Sequence, residues 1–368
     1  VYQVVQGEAT VTGWNETGVR TALTDIRTGA MPWITGASGG LEYDVVLGVD
    51  PIITWYSHWT VDNGTFKTLK TISSENLTAG SKSDQVSAGG TRASEALMSI
   101  THSDPYSAAR ERTAFRAVIV GPSQGWRNYR HQSDALSVYT LLRKNGVSDE
   151  DIILMTFDDV PTTPENPLKG DVHNVPRGEN LRVGALVDYT GPAVTADTLK
   201  NVLTGNRTAS TPVVLESNAG TDVFVYIASH GSPGEVVFAY GHGFFTTDDF
   251  TTVTDAMARD GRYRQMVFFV DTCFGESIAT GATAPGIYYL TGAAKNEPSL
   301  GAVYDMDIKQ WLSDEFTSSV LSTLRANPEI TFRELYPATY KTVTGSHVRM
   351  VDTGQFDLDT PVMAYLSP

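Results

Sequence analysis

The sequence predicts an α/β fold in which a mostly parallel central sheet is covered by helices. Two observations carry this. From about residue 115 onward, short apolar runs alternate with segments of helical periodicity, the order that builds βαβ units. Those apolar runs are also continuous rather than alternating with polar residues, as strands buried on both faces must be. The composition agrees: 368 residues, 41% hydrophobic and 19% charged, suit one large globular domain or two unequal ones.

Taken in order, residues 115–120 are a short β-branched run closed by Gly121-Pro122, a strand followed by a turn. Residues 130–144 carry Ala135, Val138, Tyr139 and Leu142 at helical spacing and stop at Asn145-Gly146. Residues 152–156 form the next apolar run. Thr195-Ala196-Asp197 opens a helix toward Leu203. A strand over 223–228, a helix near 248–259, strands over 266–270 and 287–291, and a helix over 314–324 complete the pattern.

Residues 1–112 read differently. Strand-like runs at 2–5 and 52–56 lie among Gly, Ser and Thr clusters, and residues 81–94 are polar and rich in Gly and Ser, a linker composition. The expected organisation is an N-terminal β-rich or mixed extension over 1–112 and an α/β domain over 113–368. His58, beside Trp55 and Trp59, reads as local packing.

The formal charge is −15, which argues against a nucleic-acid partner, since such surfaces are basic. No apolar run approaches the ~20 residues of a membrane span. No signal peptide is apparent at Val1, so the N-terminus reads as processed or cytosolic. Sequons at Asn15, Asn63, Asn76 and Asn206 mark surface positions if the chain follows a eukaryotic secretory route. His242 and Asp248-Asp249 read as a solvated polar cluster.

One cysteine is present, which excludes an internal disulfide and a cysteine-based zinc site. A lone cysteine is a buried small hydrophobe or a nucleophile. Two strand ends bear on the choice. One reads Tyr226-Ile227-Ala228-Ser229-His230-Gly231, the other Val267-Phe268-Phe269-Val270-Asp271-Thr272-Cys273-Phe274-Gly275. Ligands of parallel sheets bind outside the carboxyl ends of strands. If both strands belong to one parallel sheet, His230 and Cys273 emerge on the same edge. A thiolate is the effective nucleophile, and a neighbouring imidazole raises its availability. The glycine after His230 allows a peptide backbone to approach closely, and the N–H groups of Gly231 and Cys273 are candidate oxyanion donors. Neither a metal nor a cofactor is required.

Further words extend the pattern: Gly125-Trp126-Arg127-Asn128-Tyr129-Arg130-His131-Gln132, then Asp134-Ala135, Asp158-Asp159-Val160, Asp188-Tyr189-Thr190-Gly191, and Ser346-His347-Val348 near the end. With the two strand ends, these make residues from about 115 to 366 resemble the legumain (asparaginyl endopeptidase) family of cysteine peptidases, to which the catalytic subunit of GPI transamidase is related. The resemblance implies a caspase-like α/β sandwich and hydrolysis of peptide bonds after Asn, more weakly after Asp at low pH. It implies Cys273 as nucleophile, His230 as base and Asn128 as the residue that orients His230. It implies a zwitterionic specificity pocket in which Arg130 donates to the substrate carbonyl and Asp314 accepts from its amide. His131 stands beside that arginine, Asp271 takes the place of an acid two residues before the nucleophile, and Ser299 falls near the pocket serine in a loop one residue shorter. Polypeptides containing Asn are the implied partners, and secretion or an acidic endolysosomal or vacuolar compartment the implied setting.

The sequence departs from the family in three ways. Ser229 precedes His230 where legumains carry aspartate, which bears on ligase competence rather than proteolysis. Asp271-Thr272-Cys273 is closer to the transamidase subunit's wording. The helical prodomain that follows the legumain core is not expected after Leu366, so residues 1–112 are the candidate for a propeptide or lid, with a permanent accessory domain as the alternative. Two other functions stay open at the level of sequence: a transpeptidase or ligase using the same acyl-enzyme, and a catalytically inactive binding module.

Overall fold

A computed structural model describes residues 111–368 throughout and, before them, the backbone of four strands: β1 (Ala9–Thr12), β2 (Pro32–Thr35), β3 (Trp55–Asp62) and β4 (Thr65–Ser73). β1 and β2 pair in parallel, and β3 and β4 pair antiparallel with a register irregularity between His58 and Trp59. These four strands fall in one compact unit and the elements after residue 110 in a second. The run at 2–5, the linker at 81–94, the packing of His58 and the sequons at Asn15, Asn63 and Asn76 lie outside the described residues.

The second unit is built on β5 (Ala114–Gly121), β6 (Ile152–Thr156), β7 (Thr221–Ala228), the short β8 (Gly231–Ser232), β9 (Glu235–Val237) and β10 (Phe244–Thr246), β11 (Gln265–Asp271), β12 (Ile287–Thr291), β13 (Gly301–Asp305), β14 (Gln310–Asp314) and β15 (Arg349–Asp352). Its helices are α1 (Tyr129–Lys144), α2 (Ala196–Thr204), α3 (Thr247–Arg259), α4 (Glu315–Ala326), α5 (Phe332–Thr342) and α6 (Val362–Tyr365). Six strands form one sheet in the order β15-β12-β11-β7-β5-β6. All neighbours in it are parallel except β15, which closes the edge antiparallel to β12. This is the mostly parallel, helix-covered α/β sandwich the sequence predicts.

The continuous apolar strands have the expected cause. Every residue of β6, β7, β11 and β12 is buried, and successive side chains serve opposite faces. On one face Phe269 meets Phe224 and Phe316 of α4, with ring centroids 5.3 and 6.4 Å away. On the other, Phe268 meets Phe250 of α3 at 5.0 Å. Each such aromatic contributes roughly 2–3 kcal/mol on burial.

Two polar readings resolve as local structure. Asp249 closes a capping box with Thr246 at the start of α3 and pairs with Lys200 at 3.1 Å. The Nδ1 of His242 lies 2.8 Å from the carbonyl of Val194. Asn206 is exposed, and its amide donates to Asn201 Oδ1.

Candidate active site

β7 and β11 are adjacent and parallel, with Asp271 opposite Ala228 as the last paired position. His230 and Cys273 therefore lie two residues beyond the same rung, on one sheet edge. The juxtaposition follows from register alone.

His230 Nε2 lies 2.7 Å from Asn128 Oδ1. The amide of Asn128 is fixed in orientation because its Nδ2 donates to the carbonyl of Gln124 at 2.7 Å. Its oxygen must then accept, so Nε2 of His230 carries the hydrogen. Gly231 opens the β8–β9 hairpin opposite Val236. A Cβ there would fall 2.3 Å from the carbonyl oxygen of Cys273, so the close backbone approach that demands glycine is by the chain's own Cys273 segment.

Cys273 is buried and lies against Ser299. The backbone N–H of Ser299 donates to Sγ at 3.3 Å, and the hydroxyl and carbonyl oxygens of Ser299 each lie 3.8 Å from Sγ. Immediately after it, Phe274 has φ 58°, a left-handed conformation that costs a bulky residue about 1–2 kcal/mol. The turn is pinned by Phe274 N–H donating to Glu297 O and Ser277 N–H donating to Phe274 O, each at 2.8 Å.

Arg130 projects from the first turn of α1, and its Nε donates to Asp314 Oδ1 at 2.7 Å, with both side chains buried. Asp314 ends β14. His131, also buried, places Nε2 3.6 Å from Asp314 Oδ2 and Nδ1 2.7 Å from Ser123 Oγ. Burial, then the charges of Arg130 and His230, hold His131 well below its usual pKa, hence neutral. Its ring stands edge-to-face with that of His230, centroids 4.7 Å apart.

Two further acids sit beneath this pair. Asp271 Oδ2 accepts from Thr317 N–H at 2.9 Å and Thr317 Oγ1 at 2.7 Å. Asp134 accepts from Ser313 Oγ at 2.6 Å, Asn174 Nδ2 at 2.7 Å and the backbone N–H of Asp314 at 2.8 Å. Burial pushes the Asp271 carboxyl up to about 8, with Asp314 adding to the rise while Thr317 and Arg130 oppose it. Burial, then Asp314 and Asp271, raises Asp134 well above the usual range. The carboxylates of Asp134, Asp271 and Asp314 lie within 4.8 Å of one another, a spacing a metal ion could bridge. Here Arg130 supplies the positive charge, and both oxygens of Asp134 already serve protein donors.

The register thus groups His230, Gly231 and Cys273 at one edge, where Asn128 joins them through His230 and Ser299 lies against Cys273, and Arg130, His131, Asp271 and Asp314 form an adjoining buried cluster. Asp134 was legible as part of a motif but not as a site residue. It lies one helical turn after Arg130, the spacing of side chains on one helix face, and that was the available signal. Ser123, Glu297 and Thr317 carry no such signal.

A family model described as the Peptidase C13 family matches residues 116–364. Mouse legumain is 35% identical over 205 residues, covering 54% of this chain and 47% of its own. The delta-isozyme of the vacuolar-processing enzyme from Arabidopsis thaliana is 36% identical over 190 residues, covering 50% of this chain and 41% of its own. The chain thus spans about half the length or less of the curated relatives it matches. Among solved structures, caspase-1 from Spodoptera frugiperda is 10% identical and covers 71% of this chain and 97% of its own, with a TM-score of 0.41.

Proposed function

The chain belongs to the Peptidase C13 family, and from that premise we propose that it is a cysteine endopeptidase that cleaves polypeptides after asparagine. The observation that carries the reading is the shared rung of β7 and β11 together with the 2.7 Å contact of His230 Nε2 with Asn128. With Nε2–H engaged by Asn128, Nδ1 is the nitrogen that takes the Cys273 proton. The thiolate attacks the substrate carbonyl carbon, and backbone N–H groups near Gly231 and Cys273 receive the developing oxyanion. The imidazolium returns its proton to the departing amine, and the acyl-enzyme is hydrolysed by a water that His230 deprotonates.

Selection of Asn rests on the Arg130–Asp314 pair. A carboxamide offers one acceptor and two donors, so its oxygen takes the guanidinium and its NH₂ meets the carboxylate. Asp314 repels an ionised aspartate, which enters only when protonated. Burial raises the carboxyls of both Asp134 and Asp271, the latter to about 8, which supports work in an acidic secretory, lysosomal or vacuolar compartment. No helix among the described residues is long and apolar enough to cross a membrane.

A peptide-library cleavage profile at pH 5 and pH 7 tests the reading, with Cys273→Ala as control. The expected result is cleavage after Asn at both values, added cleavage after Asp at pH 5, and none by the variant. Cleavage without preference at that position, or retained by the variant, refutes it. Residues 1–112 would serve this peptidase as propeptide or lid. Asn63-Gly64 and Asn76-Leu77 are then bonds it could cut itself, and an extension left intact at acid pH with full activity rules that out.

A further inference from the structure

The sulfur of Cys273 receives a backbone hydrogen bond from Ser299 at 3.3 Å, and the loop that delivers it is held at Lys295, whose N–H donates to Glu276 at 2.9 Å, at Leu300, whose carbonyl accepts Glu315 N–H at 2.9 Å, and most extensively at Glu297. Glu297 accepts Phe274 N–H at its own carbonyl, 2.8 Å, so it grips the residue after the nucleophile. Its carboxylate takes Ala294 N–H at 2.8 Å and His347 N–H at 2.6 Å through Oε1, and meets His347 Nδ1 at 2.8 Å through Oε2. Three backbone segments therefore converge on Glu297: the nucleophile turn, the loop after β12, and the segment before β15. Ser299 is two residues on.

We propose that Glu297 is a positioning residue for the nucleophile, holding the Ser299 amide on Cys273 so that this N–H stabilises the thiolate. The chemistry favours the ionised sulfur. A thiol can donate to the Ser299 carbonyl or hydroxyl at 3.8 Å, whereas only a thiolate makes full use of an N–H donor at 3.3 Å. A hydrogen bond to a charged acceptor contributes more than one to a neutral acceptor, so ionisation shifts the balance toward the amide. The segment carrying His347 is fastened a second time, with Glu315 accepting Thr344 N–H at 2.8 Å and Gly345 N–H at 3.0 Å. Glu297 is the carboxylate that joins that segment to the nucleophile loop.

The proposal deepens the peptidase reading, and its test is independent of peptide turnover. Cys273 is the single cysteine of the chain, so the pH dependence of alkylation by iodoacetamide reports its thiolate alone. Glu297→Ala should raise the alkylation midpoint by about one pH unit or more, the loss of one charge-assisted hydrogen bond. Glu297→Gln, which keeps the acceptor for the two amides, should fall between. Ser299→Ala retains the N–H and removes only the hydroxyl, which makes it the reference, while Ser299→Pro removes the N–H as well and should raise the midpoint above that of Ser299→Ala. A folded Glu297→Ala with the wild-type midpoint overturns the role of Glu297. If that variant unfolds, a Ser299→Pro midpoint equal to that of Ser299→Ala overturns the role of the amide. If the midpoints shift as stated and no peptide is cut by the wild type, the peptidase reading fails and this one stands.

Discussion

Replacing Asp271 by Asn should remove a pH-dependent weakness from the fold. Asp271 is fully buried, and one carboxylate oxygen is spent on Thr317. The other, Oδ1, makes no hydrogen bond, and the side chain belongs to a cluster that already holds Asp134 and Asp314. The folded carboxyl is raised to about 8 from an ordinary 3.8. Below about pH 4 both folded and unfolded chains hold the proton. Between about 4 and 8 the unfolded chain releases it and the folded chain keeps it, so stability falls as pH rises, levelling off above about 8. One proton corresponds to about 1.4 kcal/mol per pH unit, and four units set a ceiling of about 5–6 kcal/mol. Asp271 shares its titration with Asp134 and Asp314, whose carboxylates lie within 4.8 Å, and this leaves a few for Asp271 itself. An asparagine keeps the acceptor for Thr317 and puts a neutral NH₂ in place of Oδ1, so no charge develops in the cluster as pH rises. Urea unfolding at pH 5, 6, 7 and 8 reads the difference. Asp271→Asn should match the wild type near pH 4–5 and exceed it by about 2–3 kcal/mol at pH 8, a rise in Tm of roughly 5–10 °C. Curves that stay parallel from pH 5 to 8, or a variant weaker than wild type at pH 8, would show that the carboxyl ionises freely in the fold and refute the reasoning.

Other outcomes follow from the same contacts. Asn128→Ala should lower kcat about 100-fold, the scale of a misplaced catalytic group, with little change in KM; steady-state kinetics decide, and an unchanged kcat removes Asn128 from the mechanism. Arg130→Met leaves Asp314 buried without its guanidinium, so it should cost about 3–5 kcal/mol in urea unfolding at pH 7 and abolish cleavage after Asn; a stable variant that still cuts there contradicts the pocket. The Asp-to-Asn ratio of kcat/KM should rise about tenfold for each pH unit lost between 7 and 5, as the substrate carboxyl gains its proton; a flat ratio counts against the charge argument. Thr331→Ala breaks the capping box with Glu334 at the start of α5 and should lower stability by about 1 kcal/mol without touching kinetics.

The parallel sheet was legible because its strands are buried on both faces and leave no alternation to misread, and the ends of β7 and β11 came with it. α5 was not. Pro337 stands inside it, a residue that argues against a helix interior, although Thr331 and Glu334 spelled the cap. The hairpin of β13 and β14 was equally hidden: Val303 and Lys309 adopt positive φ, where β-branched and long side chains give no warning. In the site, Arg130 and Asp314 could be named only through resemblance, because their 184-residue separation leaves no periodic trace. The partners of Glu297 and Ser123 are distant in sequence and brought together by tertiary packing, so these polar residues in turns looked like any others.

The start of α1 shows why so much of the site depends on the core around it. Asn128 occupies the N-cap position, where asparagine is among the preferred residues, yet its side chain makes no capping bond. Oδ1 goes to His230 and Nδ2 to Gln124. The first turn carries no acid and presents Arg130 next to the positive end of the helix dipole, the opposite of what stabilises a helix N-terminus. The compensation comes from elsewhere: Asp314 on β14 supplies the anion, and Asp134, later on α1 itself, holds the Asp314 amide in place. Three buried acids around one guanidinium then exceed what a single cation can neutralise, and the carboxyls of Asp134 and Asp271 are raised accordingly, by burial first and by the neighbouring acids next. Protonation of this cluster increases in acid and favours the fold; on the proposed reading, protonation of a substrate aspartate increases in the same direction, so stability and entry of Asp should rise together as pH falls.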